Sequence, residues 1–515
     1  MPSIKQGKLQ AAGLMIEYRT FPESFETVWR AQSKKLVQPL KEKTDHIVVV
    51  GKNLTSNLTE DLAVSVRNSN YPRSEPTITH LELNCRKNAS VNRQLSELSA
   101  KIHLSGVGRK SIVILVFDDP NSLSVVLASV LSSSKMEFGE VKSLIEAQLP
   151  KKYKLTEREV VTSEILSLGS ASLFGGAIGD ALGADVEFFT LEEILRAYPR
   201  GKHELSSHSV PSTGWFTDDT QMTLFTAEGL IRAYVRGALK GISSAAGVVG
   251  HSLLRWAATQ GSQTAAEPSL DSGLVLDRRL HFQAAPGLTC LSALEGARSF
   301  GERADNNSKG CGTIMRVAPV ALYAYANSSR NSTAMQNWTR DTAIETSQCT
   351  HGHSTAWFAA AAWAEIIYLV LCGEDLRTAA NTVTFEYRAL CNETYEALSL
   401  ALSARQNAAP ETIEMLGEGW VAEEALAMAL YACLCAESFE HCLQIAITHS
   451  GDSDSVGAIA GNLLGLMFPD EVFRSPFFAE LRGKDIISTI SRDLMTCCNW
   501  GREHTEAMFE YYPGY

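Results

Sequence analysis

None of the 11 cysteines falls in a Cys-x-x-Cys pair and no His-Glu-x-x-His occurs, so nothing in the chain competes for a zinc reading. The cysteines, scattered from Cys85 to Cys498, also lack the regular spacing of a disulfide framework, which predicts reduced thiols and a cytoplasmic setting. Positive charge is scarce. With 46 Lys+Arg against 58 Asp+Glu, a net charge of −12 and a pI near 5.6, there is no broad basic surface for nonspecific nucleic-acid or membrane binding. Met1-Pro2-Ser3-Ile4-Lys5-Gln6 lacks a charged-then-apolar signal pattern, so secretion by the usual route is not expected. The longest apolar run, Ala356 to Cys372, is broken by Glu365 and is short for a bilayer span; it reads as a buried helix, with no membrane partner.

What the chain does have is acid beside glycine. Asp180 to Glu187, Thr217-Asp218-Asp219 and Asp452-Ser453-Asp454-Ser455 each pack oxygen donors close together. Carboxylates and hydroxyls in such patterns suit hard cations such as Mg²⁺, Mn²⁺ or Ca²⁺. Each cluster also has a plainer explanation. Thr217-Asp218 and Asp452 to Ser455 precede apolar helical stretches, where the same residues act as N-caps, and Asp180 and Glu187 suit a solvated helix end. Three such clusters in one mostly helical segment favour the metal reading, and a helix start serves both roles.

At 515 residues, 45% hydrophobic and 20% charged, the chain predicts a soluble globular protein of two domains. β-rich runs at His46–Gly51, Thr79–Asn84 and Ser111–Phe117, followed by helical patterns at Ser122–Leu131 and Gly139–Leu149, predict a smaller α/β domain over 1–154. A charged junction follows Pro150. From 155 to 515 the expectation is all-α, with helical spacing at Leu224–Leu239, Ala356–Cys372, Thr378–Leu390, Ala422–Cys435 and Val456–Met467. The polar stretch Thr259–Ala285 reads as a surface excursion beside a cleft. No internal repeat is evident.

Five signatures then occur in order: Gly179-Asp180-Ala181-Leu182-Gly183 with Glu187, Thr217-Asp218-Asp219-Thr220-Gln221-Met222, Gly310-Cys311-Gly312-Thr313-Ile314-Met315-Arg316, Thr350-His351-Gly352-His353, and His449-Ser450-Gly451-Asp452-Ser453-Asp454-Ser455. A Tyr512-Pro513-Gly514 tail closes the series. Over about Glu164 to Tyr515 this resembles the ADP-ribosylglycohydrolase family. The resemblance implies a compact helical domain with two Mg²⁺ (or Mn²⁺) ions in a cleft. It implies one ligand set of Thr217, Asp218 and Asp219, another of Asp452, Asp454 and Ser455, and Glu187 as the mobile carboxylate near the reacting carbon. The implied reaction removes ADP-ribose from an ADP-ribosylated protein or other acceptor. Glu187, Asp219 and Asp454 are the candidate catalytic residues, and the choice of general base among them stays open; Asp180 is expected to support the local turn. Substrate contacts are expected from Glu187, Ser308, Gly310, Cys311, Gly312, Thr313, Met315, His351 and Gly451, with the glycine-rich amides of 307–313 serving the diphosphate. Arg316 is read as a structural ion-pair partner or a phosphate ligand, His351 and His353 as adenosine-side residues or capped structural histidines, and His449 as structural. The chain departs from the family pattern at Ser455, where Thr is usual, and at Cys311, where Asn is usual. Neither change removes a carboxylate.

In the N-terminal region Ile112–Phe117, the loop 118–121 and Ser122–Leu131 resemble the strand-loop-helix of dual-specificity phosphatases. Their loop nucleophile and its arginine are both missing here, so the resemblance implies a catalytically dead domain that recognises a protein target. Two other functions remain open on sequence: an inactive ADP-ribose-binding protein, and a metal-dependent nucleotide phosphoesterase.

Overall fold

The computed structural model describes residues 5–11, 14–20, 46–51, 77–82 and 110–116 by their backbone, and residues 157–198, 214–327 and 333–515, the last three ranges with side chains from Leu166 onward. The chain divides into two compact units, Met1–Ser167 and Leu168–Tyr515.

In the first unit five strands form one mixed sheet: β1 (Lys5–Ala11), β2 (Leu14–Thr20), β3 (His46–Gly51), β4 (Thr77–Glu82) and β5 (Lys110–Val116), in the order β1-β2-β5-β3-β4. β1 and β2 pair antiparallel with Ala11 opposite Leu14, and every other pairing is parallel. β5 is central, with Ile112 aligned to both Ile16 and His46. Its Ile-Val-Ile-Leu-Val run suits a strand flanked by parallel neighbours on both sides. Three of these strands match the β-rich runs within two residues; β1 and β2 precede the region where strands were expected. The expected helices Ser122–Leu131 and Gly139–Leu149, and the loop 118–121, lie outside the described residues.

The second unit is helical. The helices that carry the site are α1 (Glu157–Gly183), which belongs to this unit from Leu168 onward, α2 (Asp218–Lys240), α3 (Ala245–Thr259), α4 (Ser354–Leu371), α5 (Ala422–Leu434), α6 (Ser453–Met467) and α7 (Lys484–Thr496). α2 is buried along most of its length, packs on α3 and α7, and ends at Gly241, whose φ of +77° closes the helix as only glycine does easily. α4 is the apolar run broken by Glu365. It lies inside the unit, with Ala359 to Trp363, Ile366 and Ile367 fully buried. Glu365 is held there by Arg340, Gln336 and the Tyr387 hydroxyl, which is how a carboxylate is tolerated in a core.

Glycines bring α1 and α6 into backbone contact. A Cβ on Gly179 would lie 2.0 Å from the Gly457 carbonyl oxygen, one on Gly461 would lie 2.2 Å from that of Gly175, and one on Gly465 would lie 2.0 Å from that of Ala171. At the end of this seam a Cβ on Gly183 would lie 2.4 Å from the Asp454 Cα. The end of α1 is thereby pressed against the start of α6. The stretch Thr259–Ala285 departs from a simple surface excursion: Ser272, Leu274, Val275 and Leu280 are buried. The Leu274 amide donates to the buried Glu228, and the Ala284 carbonyl accepts from Asp218 at the head of α2.

Candidate metal centre and active site

Two helix starts and one helix end supply the acid. Thr217 caps α2, its hydroxyl accepting from the Asp219 amide at 3.3 Å, and Asp452 caps α6, its Oδ1 accepting from the Ser455 amide at 3.3 Å. The capping role and the cluster role therefore coincide, with Asp218, Asp219 and Asp454 all in first turns. Asp180, fully buried near the end of α1, accepts from the Thr217 amide (2.8 Å), the Thr220 amide (3.0 Å) and the Thr220 hydroxyl (2.5 Å). It supports the head of α2 across the helix interface and not merely its own turn. Glu187 follows α1, and its carboxylate lies with those of Asp452 and Asp454 so that one oxygen of each falls within 4.8 Å of the others.

The electrostatics of this group are lopsided. Burial first, then the repulsion of Asp454, pushes Asp180 up to about 7 and Glu187 up to about 8. The same two causes hold Asp218, Asp219 and Asp452 well above the ordinary carboxylate range. Burial raises Asp454 as well, against hydrogen bonds from its surroundings. Asp454 acts on Asp218, Asp219 and Glu187 alike, so the three distant segments share one electrostatic centre. Among the described residues no lysine or arginine ion-pairs with any of the six. Lys309 of the glycine-rich turn pairs with Glu423 instead. The buried Asp219 Oδ1 has no hydrogen-bond partner. Buried anions without counter-charge are strongly disfavoured, and an all-oxygen set with an unsatisfied carboxylate oxygen fits a hard divalent cation.

The glycine-rich turn borders this centre. The Cys311 thiol donates to Asp452 Oδ2 at 2.9 Å and lies 3.5 Å from the Ser455 hydroxyl, and Ser455 Oγ approaches the buried Met315 sulfur at 3.9 Å. Gly451, at φ +105°, passes so close to the Glu418 carbonyl that a Cβ would lie 2.2 Å away. The expected diphosphate donors are largely engaged elsewhere. The amides of Ser308, Gly310 and Cys311 donate to Asn306 Oδ1, Ser308 Oγ and the Trp420 carbonyl, so these three hold the turn itself. Thr313 is buried, its hydroxyl donating to Ala356 O, and Gly312 packs against Cys290 and His351. His351 is also buried. Its Nδ1 meets the Thr350 hydroxyl at 2.9 Å, and burial holds its pKa down at about 3, so it supports the turn from beneath as a neutral ring. Arg316 bonds neutral oxygens, those of Gly312, Thr346 and Thr350, and meets neither a carboxylate nor an open surface. His353 caps α4, and His449 is buried with both ring nitrogens on backbone carbonyls.

Residues 163–503 match the family model described as ADP-ribosylglycohydrolase. The chain belongs to the ADP-ribosylglycohydrolase family. It is 23% identical over 320 residues to the ADP-ribosyl-[dinitrogen reductase] glycohydrolase of Rhodospirillum rubrum, covering 60% of this chain and 88% of that protein. It is 25% identical over 294 residues to an uncharacterized protein of Archaeoglobus fulgidus, covering 57% and 85%. A solved ADP-ribosylglycohydrolase-related protein complex aligns with 65% of this chain and 99% of its own, at TM-score 0.44 and 20% identity. As an ADP-ribosylglycohydrolase family member the chain carries the hydrolase fold on its helical unit.

Sequence reasoning missed four neighbours of the centre. Phe188 stacks on Trp420, the Gly287 amide donates to Asp218 Oδ2 at 3.2 Å, and the Glu418 carbonyl accepts from the Asp452 amide at 2.8 Å. A signal existed for two of these. Gly417-Glu418-Gly419-Trp420 is a glycine pair in a helical region, and both glycines have positive φ.

Proposed function

We propose that this protein is a metal-dependent ADP-ribosyl hydrolase. It removes ADP-ribose from an acceptor, a protein side chain foremost, by breaking the bond at the anomeric carbon of the distal ribose. The observation that carries the proposal is the convergence of Glu187, Asp218, Asp219, Asp452 and Asp454 on one buried centre with no basic partner among the described residues. Two Mg²⁺ or Mn²⁺ ions fit the donors: Thr217, Asp218 and Asp219 would hold one, and Asp452, Asp454 and Ser455 the other. When bound, such ions supply positive charge that fixes sugar hydroxyls and makes water acidic.

The chain's own residues do the rest. Cleavage develops oxocarbenium character at the anomeric carbon, and a carboxylate beside it stabilises that charge. Glu187, half-buried at the edge of the cluster, is placed for this. Glu187 or one of the ligand aspartates takes a proton from the attacking water, whose hydroxyl bonds to the anomeric carbon as the bond to the acceptor breaks, and that proton goes on to the departing acceptor. Asp180 holds the head of α2 in register through Thr217 and Thr220. Cys311 donates a thiol hydrogen bond to Asp452 Oδ2 and keeps that oxygen oriented.

The test is product identification. The protein with Mg²⁺ or Mn²⁺ is incubated with arginine-, serine- or nucleobase-linked ADP-ribose and the products are weighed by mass spectrometry. Free ADP-ribose with unmodified acceptor is the expected result. Release of AMP or phosphate, or tight ADP-ribose binding without turnover, would overturn it in favour of a phosphoesterase or an inactive binder.

A further inference from the structure

An exposed aromatic pair at the edge of the acid centre calls for a physical reason. Phe188 directly follows Glu187, is 70% exposed, and has φ +67°, a left-handed conformation that bulky side chains rarely adopt. Its ring nevertheless has a partner: it stacks on Trp420 with centroids 5.3 Å apart and planes 22° from parallel. Its amide donates to the Gly451 carbonyl at 3.3 Å, one residue before Asp452. Trp420 is fixed in turn, because its carbonyl accepts from the Cys311 amide at 3.1 Å while the Cys311 thiol donates to Asp452. The turn runs between Gly183, whose carbonyl accepts from Val186 and Glu187, and Leu191, whose amide donates to the Ser450 hydroxyl, and the stack joins it to Trp420.

We propose that Phe188 and Trp420 form a latch that positions Glu187: the stack holds the strained turn so that the Glu187 carboxylate stays with Asp452 and Asp454. The latch rests on the reading that Glu187 serves the reacting sugar. Phe188 and Trp420 are positioning residues, acting through Glu187. The ring contact offsets the backbone strain of the left-handed Phe188, so the turn depends on it.

Hydrogen exchange of the full chain, without metal or substrate, tests this independently of turnover. In Phe188→Ala and Trp420→Ala the amides of 184–189 should exchange roughly 10-fold faster, as loss of one aromatic pair predicts. The double variant should add nothing, and Trp420→Phe should restore protection. Phe188→Gly removes both strain and ring, so its melting temperature should hold or rise while exchange quickens and kcat falls with little change in KM. A purely structural residue would move stability and kcat together. Unchanged exchange at 184–189 in both alanine variants overturns the latch even if the wild-type protein turns over substrate. Faster exchange in variants of a wild type that releases no ADP-ribose keeps the latch and sinks the hydrolase reading.

Discussion

At the residue scale the centre is a set of groups poorly suited to a protein interior alone. Asp219 shows it most clearly: it is buried, its Oδ1 has no partner, and burial with the Asp454, Asp218 and Asp180 charges raises its pKa. Such an arrangement persists where function demands it and lowers stability elsewhere in the balance. Asp219→Asn keeps the shape and deletes the charge. In the metal-free protein at pH 8 this variant should melt higher by about 1–2 °C, the equivalent of roughly 1 kcal/mol in a unit of this size. In Mn²⁺ its turnover should fall by roughly 100-fold or more, as when a preorganised charge is removed. Asp454→Ala should likewise lose turnover and remain folded by circular dichroism. A variant that kept full turnover, or one that melted lower without metal, would show that the carboxylate is an ordinary structural acid.

At the scale of the elements, the seam between α1 and α6 fixes where the acids meet. A methyl on Gly179 would lie 2.0 Å from a backbone oxygen that cannot rotate away, so the helices must separate. Gly179→Ala should destabilise the helical unit by about 1–3 kcal/mol, the usual range for overpacking, and weaken Mn²⁺ binding by calorimetry because Asp180 and Asp454 shift apart. Gly296→Ala, where an added Cβ meets nothing within 4 Å, is the control and should be neutral. Much of this level was legible in the chain itself. Periodicity located α2, α4, α5 and α6 to within a few residues, apart from the polar first turns of α2 and α6, since Thr217-Asp218-Asp219 and Asp452 to Ser455 read as loop or cap until tertiary packing is known. The acidic clusters were legible because carboxylates beside glycine are chemically conspicuous. The role of the 307–313 amides was not, because whether an amide is free depends on its partners, and Trp420, Asn306 and Ser308 claim three of them. The inward place of His351 was hidden for the same reason. β1 escaped because Lys5 to Ala11 is mostly polar, and a strand of that kind is defined by its pairing with β2 more than by its own composition.

For the whole molecule, the two units invite separate tests. Removing residues 1–154 leaves α1 intact, since that helix starts at Glu157; turnover of a small ADP-ribosylated substrate should survive while preference for a macromolecular one changes. A folded truncation with no small-substrate activity would contradict this division of labour. The acid centre also sets how stability depends on pH. Asp180 and Glu187 have native values near 7 and 8, above the ordinary carboxylate values of 3.8 and 4.5. The native state therefore binds more protons than the unfolded chain between those limits, and stability falls as pH rises through that window. Below about pH 4 the effect of these two groups on stability vanishes relative to their fully protonated state, and above about pH 8 their penalty is complete. Metal-free protein should thus melt at a progressively lower temperature from pH 5 to pH 8, by several degrees for the helical unit. A divalent cation offsets part of the local negative charge and displaces those protons, so its stabilising effect should be larger at pH 8 than at pH 5. Calorimetric melts at both pH values, with chelator and with excess Mn²⁺, decide the matter. A Mn²⁺ shift that is equal at the two pH values would mean that the ion binds somewhere other than among these six carboxylates.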